Sequence, residues 1–214
     1  MKPYYQDSHC TIYHGDCREI LPELPVADVL ITDPVWFNSL SCLHGADDPK
    51  SLLAEMFSAL PGVRSRIVIQ LGSDTDPRQL NAVPSEFRFL KASRLRYALP
   101  TRKGRILYDF DIAYAFGQPP KPIKGRFLLT GDCLSTGDQF KPKRSDHPCP
   151  RHLPHVAWLV QQYTDTGEIV IDPFCGSGTT LIACKNRSIQ SIGIEIEEKY
   201  CEIAVKRLRQ EVLF

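Results

Sequence analysis

Three residues in the first fifth of the chain could together hold a flat ring that carries an amino group. An apolar run ends at Asp33, whose carboxylate accepts hydrogen bonds, and Pro34 adds a rigidly placed carbonyl. Trp36 supplies a large aromatic face on which such a ring could stack. A nucleobase with an exocyclic amino group fits this combination. The alternative is an ordinary exit from a strand into a loop.

A glycine-bearing turn in the last quarter of the chain has the pattern of a nucleotide site. The stretch "IVIDPFCGSGTTLIACKNRSIQSIGIEI" (169–196) is typical of a strand, a turn, a helix and a second strand. Gly176 and Gly178 would let the backbone approach a ligand, and the start of the helix offers free N–H groups. Glu195 ends the second strand, where a carboxylate could hold a ribose diol. The stretch therefore predicts a site for an adenosine cofactor, although its glycine spacing is not G-x-G-x-x-G.

Strand and helix patterns alternate along the chain and would position both the Asp33 segment and the glycine-bearing turn. Strands are expected at 11–16, 27–33, 65–72, 167–172 and 190–195, helices at 48–60, 153–164, 179–187 and 197–210, and a long antiparallel pair at 88–100 and 108–117. This alternation predicts an α/β fold with a doubly wound, Rossmann-like sheet, mostly parallel with an antiparallel hairpin. We expect a single domain over 1–214, with an irregular excursion at about 117–146.

Charge is unevenly distributed along the chain. The formal net charge is +1, but residues 88–151 carry 14 Lys and Arg against five Asp, so the rest of the chain is acidic. A directed positive face suits a polyanion such as DNA or RNA, although a solvated loop region is the alternative.

The cysteines and the N-terminus bear on the compartment. The eight cysteines form no C-x-x-C pair, and "MKPYYQDSHC" lacks the apolar segment of a signal peptide. No apolar stretch is long enough for a membrane helix. We therefore expect reduced thiols and a cytoplasmic location.

Four stretches resemble motifs of the amino-group DNA methyltransferases. "DPFCGSGTT" is similar to their S-adenosylmethionine-binding motif D-P-F-x-G-S-G-T-T, and "TDPVW" resembles their catalytic D-P-P-Y. "HPCPRHLPHVAWLV" resembles their H-P-x-x-K-P segment, and "HGDCREILPELPVADVLITDP" the stretch that leads into the catalytic motif. The catalytic motif precedes the cofactor motif, as in the circularly permuted β class. The resemblance covers about 14–116 and 145–210.

The resemblance implies a site-specific, S-adenosylmethionine-dependent DNA methyltransferase and assigns roles to individual residues. Asp33 and the Pro34 carbonyl would accept the hydrogens of the target amino group, while Trp36 would stack on a flipped base. The catalytic segment is Asp33, Pro34, Val35 and Trp36. Val35 stands where the family usually has a second proline, and an Asp at the first position favours adenine N6 over cytosine N4.

The implied cofactor site draws on three parts of the chain. Asp16 would bind the adenine edge, Glu195 the ribose hydroxyls, and Phe174 would pack near the adenosine. His147 and Arg151 correspond to the His and Lys of H-P-x-x-K-P, near the methionine end, and His152 replaces the final proline of that motif. The full cofactor set is Asp16, Cys17, Asp33, His147, Arg151, Asp172, Pro173, Phe174, Cys175, Gly176, Ser177, Gly178, Thr179, Thr180 and Glu195.

Double-stranded DNA is the expected partner, and a homodimer is a second expectation because the basic excursion is short. The candidate DNA-binding residues are Arg102, Lys103, Arg105, Lys121, Lys124, Arg126, Lys141, Lys143 and Arg144. No nuclease motif is visible, which favours a stand-alone enzyme with a brief recognition sequence. Methylation of RNA and a non-catalytic relic that binds DNA or cofactor are the open alternatives.

Three other groupings were weighed. Pro148-Cys149 resembles the nucleophile of cytosine C5 methyltransferases, but that family places its cofactor motif first. His147, Cys149, His152 and His155 could ligate zinc, but four ligands within nine residues make a poor tetrahedron, so no metal is expected. The aromatics of "RILYDFDIAYAF" could stack on bases, although packing of a strand in the core is favoured.

Overall fold

The computed structural model describes residues 1–36, 43–122, 132–134 and 151–210. These residues form one mixed sheet of nine strands in the order β1-β2-β9-β8-β3-β4-β6-β5-β7. The strands are β1 (Tyr5–Gln6), β2 (Cys10–His14), β3 (Ala27–Thr32), β4 (Val63–Gly72), β5 (Phe89–Lys103), β6 (Ile106–Gly117), β7 (Asp132–Leu134), β8 (Ile169–Asp172) and β9 (Gln190–Glu195). The helices are α1 (Cys17–Ile20), α2 (Pro49–Ala59), α3 (Leu153–Tyr163), α4 (Thr179–Lys185) and α5 (Glu198–Arg209), with 3-10 turns at Leu21–Glu23 and Pro77–Ala82.

Five neighbouring strands, β2, β9, β8, β3 and β4, run parallel. Alternate residues of β3 point to opposite faces, which explains its unbroken apolar sequence. Val29 and Ile31 pack with α3 and α4, whereas Leu30 packs with α1 and α2. Helices therefore cover both faces, and the prediction of a doubly wound sheet is confirmed.

A long antiparallel pair extends the sheet beyond β4. β6 pairs with β4 as far as Gly72 and Asp111, and continues with β5 to the pair Lys103 and Ile106. The predicted hairpin is confirmed. The excursion after it, expected to be irregular, contains the short strand β7, which pairs in parallel with β5. Most of the rest of that excursion lies outside the described residues.

Local sequence accounts for the ends of the helices. α2 begins after Asp48, whose side chain accepts a hydrogen bond from the backbone N–H of Ser51 at 3.1 Å, and Pro49 takes the first helical position. It ends at Ala59, ahead of Pro61-Gly62. The predicted helix at 48–60 is thus confirmed to within one residue at each end.

Two expectations drawn from composition can be compared with the described part of the chain. Within it, no helix is long and apolar enough to cross a membrane. Its six cysteines are buried and form no disulfide with one another, in agreement with the prediction of reduced thiols.

Candidate active site

Four carboxylates lie at the carboxyl ends of four neighbouring parallel strands. Asp16 follows β2, Glu195 ends β9, Asp172 ends β8 and Asp33 follows β3. All four line one cavity of about 440 Å³. Open α/β sheets bind their ligands at this edge, so the fold brings the catalytic segment and the glycine turn to the same place.

The glycine loop, residues 172–178, is held by hydrogen bonds to groups close to it. Glu195 is 8% exposed and accepts the backbone N–H groups of Gly176 at 2.8 Å and Glu197 at 2.9 Å. Burial raises the pKa of this carboxyl to about 6, against the effect of these hydrogen bonds. Gly193 allows the loop to lie directly on β9, since a Cβ there would come within 2.8 Å of the Cys175 sulfur. Gly193 was not predicted from the sequence.

Asp172 and Gly178 have mainly structural surroundings. The Asp172 carboxylate accepts the Thr32 hydroxyl at 2.7 Å, which joins β8 to β3, and the Phe174 N–H at 3.1 Å. Gly178 has a φ of +77° and does not line the cavity, unlike the rest of the glycine loop. A Cβ at Gly178 would lie 2.8 Å from that of Ala204, so its absence lets α4 pack against α5.

Asp16 combines cavity lining with helix capping. It is the N-cap of α1 and accepts the Arg18 N–H at 2.9 Å. Its ion pair with the Arg18 guanidinium is 2.5 Å long and lowers the pKa of the carboxyl. Arg18 in turn pairs with Glu55 at 2.6 Å. Asp16 therefore both caps a helix and lines the cavity.

The catalytic segment is anchored by contacts that the sequence did not reveal. The Trp36 indole N–H donates to the Gln70 carbonyl at 3.2 Å, and the ring lies so close to Gly72 that a Cβ there would be 2.6 Å from ring carbon Cζ3. The buried Gln79 side chain donates to the Val35 carbonyl at 2.8 Å. A side-chain tether thus holds the loop at the position where the family usually has a second proline.

Arg151 contacts the catalytic segment. Its Nε donates to Asp33 Oδ2, and its guanidinium carbon lies 4.0 Å from the centre of the Trp36 ring. Its Nη1 is 3.7 Å from Asp111 Oδ2. Arg151 also lines the cavity that the glycine loop lines, and its place near the methionine end of a cofactor stays a prediction.

Asp33 is a strongly perturbed acid. Burial raises its pKa to about 6, and the neighbouring Arg151 opposes that shift. Its Oδ1 is buried and has no hydrogen-bond partner among the described residues. A buried acceptor without a partner costs free energy, so this atom is suited to a donor that arrives with a ligand.

Asp111 and its neighbours form a second polar group beside Arg151. Asp111 is 7% exposed and accepts the Gln70 side-chain amide at 3.1 Å and the Tyr97 hydroxyl. Burial raises the pKa of this carboxyl, while Arg151 opposes that shift. These residues come from β4, β5 and β6, and only their pairing in the sheet brings them to Arg151.

The structure also bears on the rival groupings. His155 is buried, its Nε2 lies 2.9 Å from the Arg96 carbonyl, and burial lowers its pKa to about 4. Among the described residues, no three His, Cys, Asp or Glu side chains cluster as metal ligands would. Tyr114 and Phe116 pack against the core cluster that includes α2, as the core alternative predicted. His147 and the Pro148-Cys149 pair lie outside the described residues.

Few of the candidate DNA-binding residues can be placed. Arg102 and Arg105 are exposed at the tip of the β5–β6 hairpin, and Lys121 is exposed after β6. The Lys103 side chain is not described. Lys124, Arg126, Lys141, Lys143 and Arg144 fall outside the described residues.

Comparison with known proteins agrees with this geometry. The family model described as "DNA methylase", for N6/N4 methyltransferases, matches residues 127–206. The type II methyltransferase M.ScaI of Streptomyces caespitosus is 35% identical over 98% of this chain and 84% of its own length. M.MjaII of Methanocaldococcus jannaschii is 38% identical over 38% of this chain, and that segment spans only 16% of M.MjaII.

Solved structures share the fold over nearly the whole chain. The M1.HpyAVI–SAM complex superposes with a TM-score of 0.72 at 25% identity, covering 94% of this chain and all of that one. The PvuII DNA methyltransferase (cytosine-N4-specific) gives 0.74 at 17% identity, covering 100% of this chain and 91% of the other, a likeness of fold alone. With M.ScaI related over nearly its full length, the chain belongs to the N6/N4 amino-group DNA methyltransferase family.

Proposed function

We propose that this chain transfers a methyl group from S-adenosylmethionine to the exocyclic amino group of a base flipped out of double-stranded DNA. Adenine N6 is the first target and cytosine N4 the second. The observation that carries the proposal is the buried Asp33 Oδ1, which lacks a partner among the described residues and lies at the cavity shared with the glycine loop.

The cavity suits the cofactor that the family uses. Its volume is in the range of small-molecule sites, and the Glu195 carboxylate stands at a strand end beside a loop whose glycines allow close approach. Glu195, Asp16 and Phe174 would hold the adenosine part, because all three line the cavity around the glycine loop. When bound, S-adenosylmethionine supplies an electrophilic methyl group on a sulfonium.

Asp33 and Pro34 would make the target amine a better nucleophile. The nitrogen lone pair of an exocyclic amine is delocalised into the base ring. A carboxylate and a carbonyl that accept its two hydrogens favour the geometry in which the lone pair returns to nitrogen. Asp33 must be ionised to accept in this way, and Pro34 is buried beside it. No covalent bond to the protein is needed, so positioning and electrostatics carry the chemistry.

Trp36 would hold the plane of the base. Its ring is fixed by the Gln70 carbonyl and by close packing on Gly72. A flipped base that stacks on this ring regains part of the stacking energy lost on leaving the duplex. The aspartate at the first position of the catalytic segment supports adenine as the target.

The test is methyl transfer from labelled S-adenosylmethionine to unmethylated DNA and, in parallel, to RNA, followed by mass spectrometry of the nucleosides. N6-methyladenine in DNA is the expected product, and N4-methylcytosine would correct only the base. Asp33→Ala should abolish transfer while leaving cofactor binding unchanged. Asp28→Ala, at the opposite end of β3, is the matched control. Cofactor binding without any product would favour the non-catalytic relic.

The β5–β6 hairpin is the surface that we propose for DNA. Pairing of β5 with β6 continues five residues past Asp111, the last partner of β4, so the hairpin projects about 16 Å beyond the cavity edge at roughly 3.3 Å per residue. Its tip exposes Arg102 and Arg105 beside Ile106 and Leu107, which are 57% and 54% exposed. Arginine suits phosphate contacts, and exposed aliphatic side chains suit the gap that a flipped base leaves.

Salt dependence of DNA binding tests this surface. Arg102→Gln/Arg105→Gln should reduce the slope of log K against log salt by about 1.8, because each lost phosphate contact accounts for roughly 0.9. Arg64→Gln/Lys206→Gln removes two exposed charges elsewhere and should leave the slope unchanged. Equal slopes for both double variants would show that DNA binds another part of the chain.

A further inference from the structure

Arg151 contacts two groups that the proposed function assigns to the target base, the Trp36 ring and the Asp33 carboxylate. Its guanidinium carbon lies 4.0 Å from the centre of the Trp36 ring, and its Nε donates to Asp33 Oδ2, next to the unpartnered Oδ1. A guanidinium, like an amino-bearing base, is a planar, delocalised group that stacks on aromatic rings and donates N–H groups. The same two protein groups would serve both.

A guanidinium and a stacked base cannot share one face of Trp36. The ring is fixed by the indole hydrogen bond to the Gln70 carbonyl and by close packing against Gly72. Arg151 covers one face of this fixed ring. A base can stack on that face only after the guanidinium has moved.

Asp111 offers Arg151 a second partner within reach. Its Oδ2 is already 3.7 Å from Arg151 Nη1, and Gln70 and Tyr97 hold the carboxylate in place. A small rotation of the guanidinium would exchange the Asp33 contact for a closer one with Asp111. Leaving Asp33 thus does not require a partly buried arginine to lose all of its charge partners, which would be costly.

We propose that Arg151 acts as a stand-in for the target base in the DNA-free protein and is displaced onto Asp111 when the base enters. This inference rests on the proposed function and adds to it a free-energy threshold that every incoming base must exceed. The incoming base must replace both the stacking on Trp36 and the donated hydrogen bond to Asp33. A base without an amino group at that edge can replace only the stacking, so Arg151 returns and expels it.

The experiment compares adenine with hypoxanthine, which has a carbonyl in place of the 6-amino group, at the target position. The recognition sequence is first determined from DNA methylated by the wild-type protein. Duplexes then carry 2-aminopurine next to the target, whose fluorescence reports the extrahelical population at saturating protein. Comparing two proteins on the same duplex cancels differences in the intrinsic stability of the base pairs.

Arg151→Met keeps the length of the side chain and removes the competing guanidinium. We expect it to raise the extrahelical population of hypoxanthine by about tenfold relative to wild type, the size of one charge-assisted hydrogen bond. The extrahelical population of adenine should rise much less, because at saturating protein it is already high in the wild type. Arg151→Lys, which restores the charge without the flat group, should fall between the two. Arg64→Met, an exposed arginine paired with Asp28 at the other end of the sheet, should match wild type.

Asp111→Asn supplies the second readout. With the second charge partner gone, Arg151 should stay on Asp33, so the extrahelical populations of both bases should fall. In the Arg151→Met background, Asp111→Asn should leave the extrahelical populations unchanged, because no guanidinium remains that could move onto Asp111. If Asp111 only supports the structure, Asp111→Asn should lower the extrahelical populations equally in the wild-type and the Arg151→Met backgrounds. Melting temperature and cofactor binding report whether each variant is folded.

Different results would overturn the proposed function and the stand-in role of Arg151. If the wild-type protein methylates no DNA, the proposed function fails and this inference fails with it. If wild type methylates DNA but Arg151→Met leaves the extrahelical population of hypoxanthine unchanged, the function stands and the stand-in role is overturned. A fall in the hypoxanthine signal with Arg151→Met would show that Arg151 holds the base instead of competing with it.

Discussion

Two carboxylates at opposite ends of the cavity differ in what holds them: Glu195 beside the glycine loop bonds to backbone N–H groups, whereas Asp33 bonds to the side chain of a distant arginine. Glu195 accepts the backbone N–H groups of Gly176 and Glu197. Asp33, by contrast, meets an arginine 118 residues away. Backbone contacts make a preformed binding surface, while a side-chain ion pair can be exchanged.

This difference suits the glycine-loop end of the cavity to the cofactor and the Asp33 end to the target base. The cofactor is the same in every reaction cycle, so a fixed loop serves it well. The target base comes from a duplex and must be admitted, tested and released, which suits an acceptor whose partner can leave. The unpartnered Asp33 Oδ1 and the nearby Asp111 both belong to this exchangeable end.

The largest effect should separate binding from turnover. Asp33→Ala removes the acceptor of the amino hydrogens and should lower kcat by about 10²–10³-fold or more, with the cofactor Kd unchanged. Glu195→Ala should weaken cofactor binding by about 10- to 100-fold, since it removes a buried acceptor and leaves two N–H groups without it. Calorimetry with the cofactor and single-turnover methylation check the pair. Equal losses of both properties in both variants would contradict the division of the cavity.

The pH dependence should follow Asp33. Its pKa is raised to about 6 in the DNA-free protein, so below that pH the carboxyl is protonated and loses an acceptor, and kcat/KM for DNA at saturating cofactor should fall as the pH decreases through about 6. Because Arg151 holds this pKa down, Arg151→Met should move the midpoint to higher pH. Glu195 also has a pKa of about 6, so cofactor affinity is measured over the same range to separate the two titrations.

A smaller effect should distinguish loop packing from ligand contact. Gly178→Ala would strain a φ of +77° and bring a methyl group within 2.8 Å of Ala204, which should cost about 1–3 kcal/mol of unfolding free energy. Gly167→Ala, with a φ of +87° but no atom within 4 Å, is the control for strain alone. Chemical denaturation of both variants measures the difference. If Gly178→Ala lost cofactor affinity but kept its stability, Gly178 would instead be part of the cofactor-binding surface.

The smallest effect should come from the tether of the catalytic segment. Gln79→Leu removes the donor to the Val35 carbonyl and should lower kcat severalfold through loss of positioning, on the order of 1 kcal/mol. Arg78→Leu, on the same 3-10 turn but exposed, is the control. Single-turnover rates at saturating DNA and cofactor give the comparison. An unchanged rate for Gln79→Leu would mean that the loop keeps its geometry without the tether.

Much of the architecture was predictable because it depends on local patterns. The apolar run 27–33, the helix at 48–60 and the hairpin strands each carry their own periodicity or capping signal. The strand β7 was not predicted, since three residues in a Pro- and Gly-rich stretch have no period of their own and are ordered by pairing with β5. Gly178 was assigned to the cofactor site because it belongs to the glycine-loop motif. In the structure it lies where α4 packs against α5.

The sequence by itself determined the residue types at the cavity: the acids that end parallel strands, the glycine loop and the Asp33-Pro34-Val35-Trp36 segment. These follow from short stretches in which strand, turn and ligand-facing groups are adjacent in the chain. Only the tertiary structure decided which side chains meet Asp33 and Trp36. Arg151, Asp111, Gln70 and Gln79 all lie far from Asp33 and Trp36 in sequence, and no local pattern encodes their distances; the order of strands in the sheet brings them together.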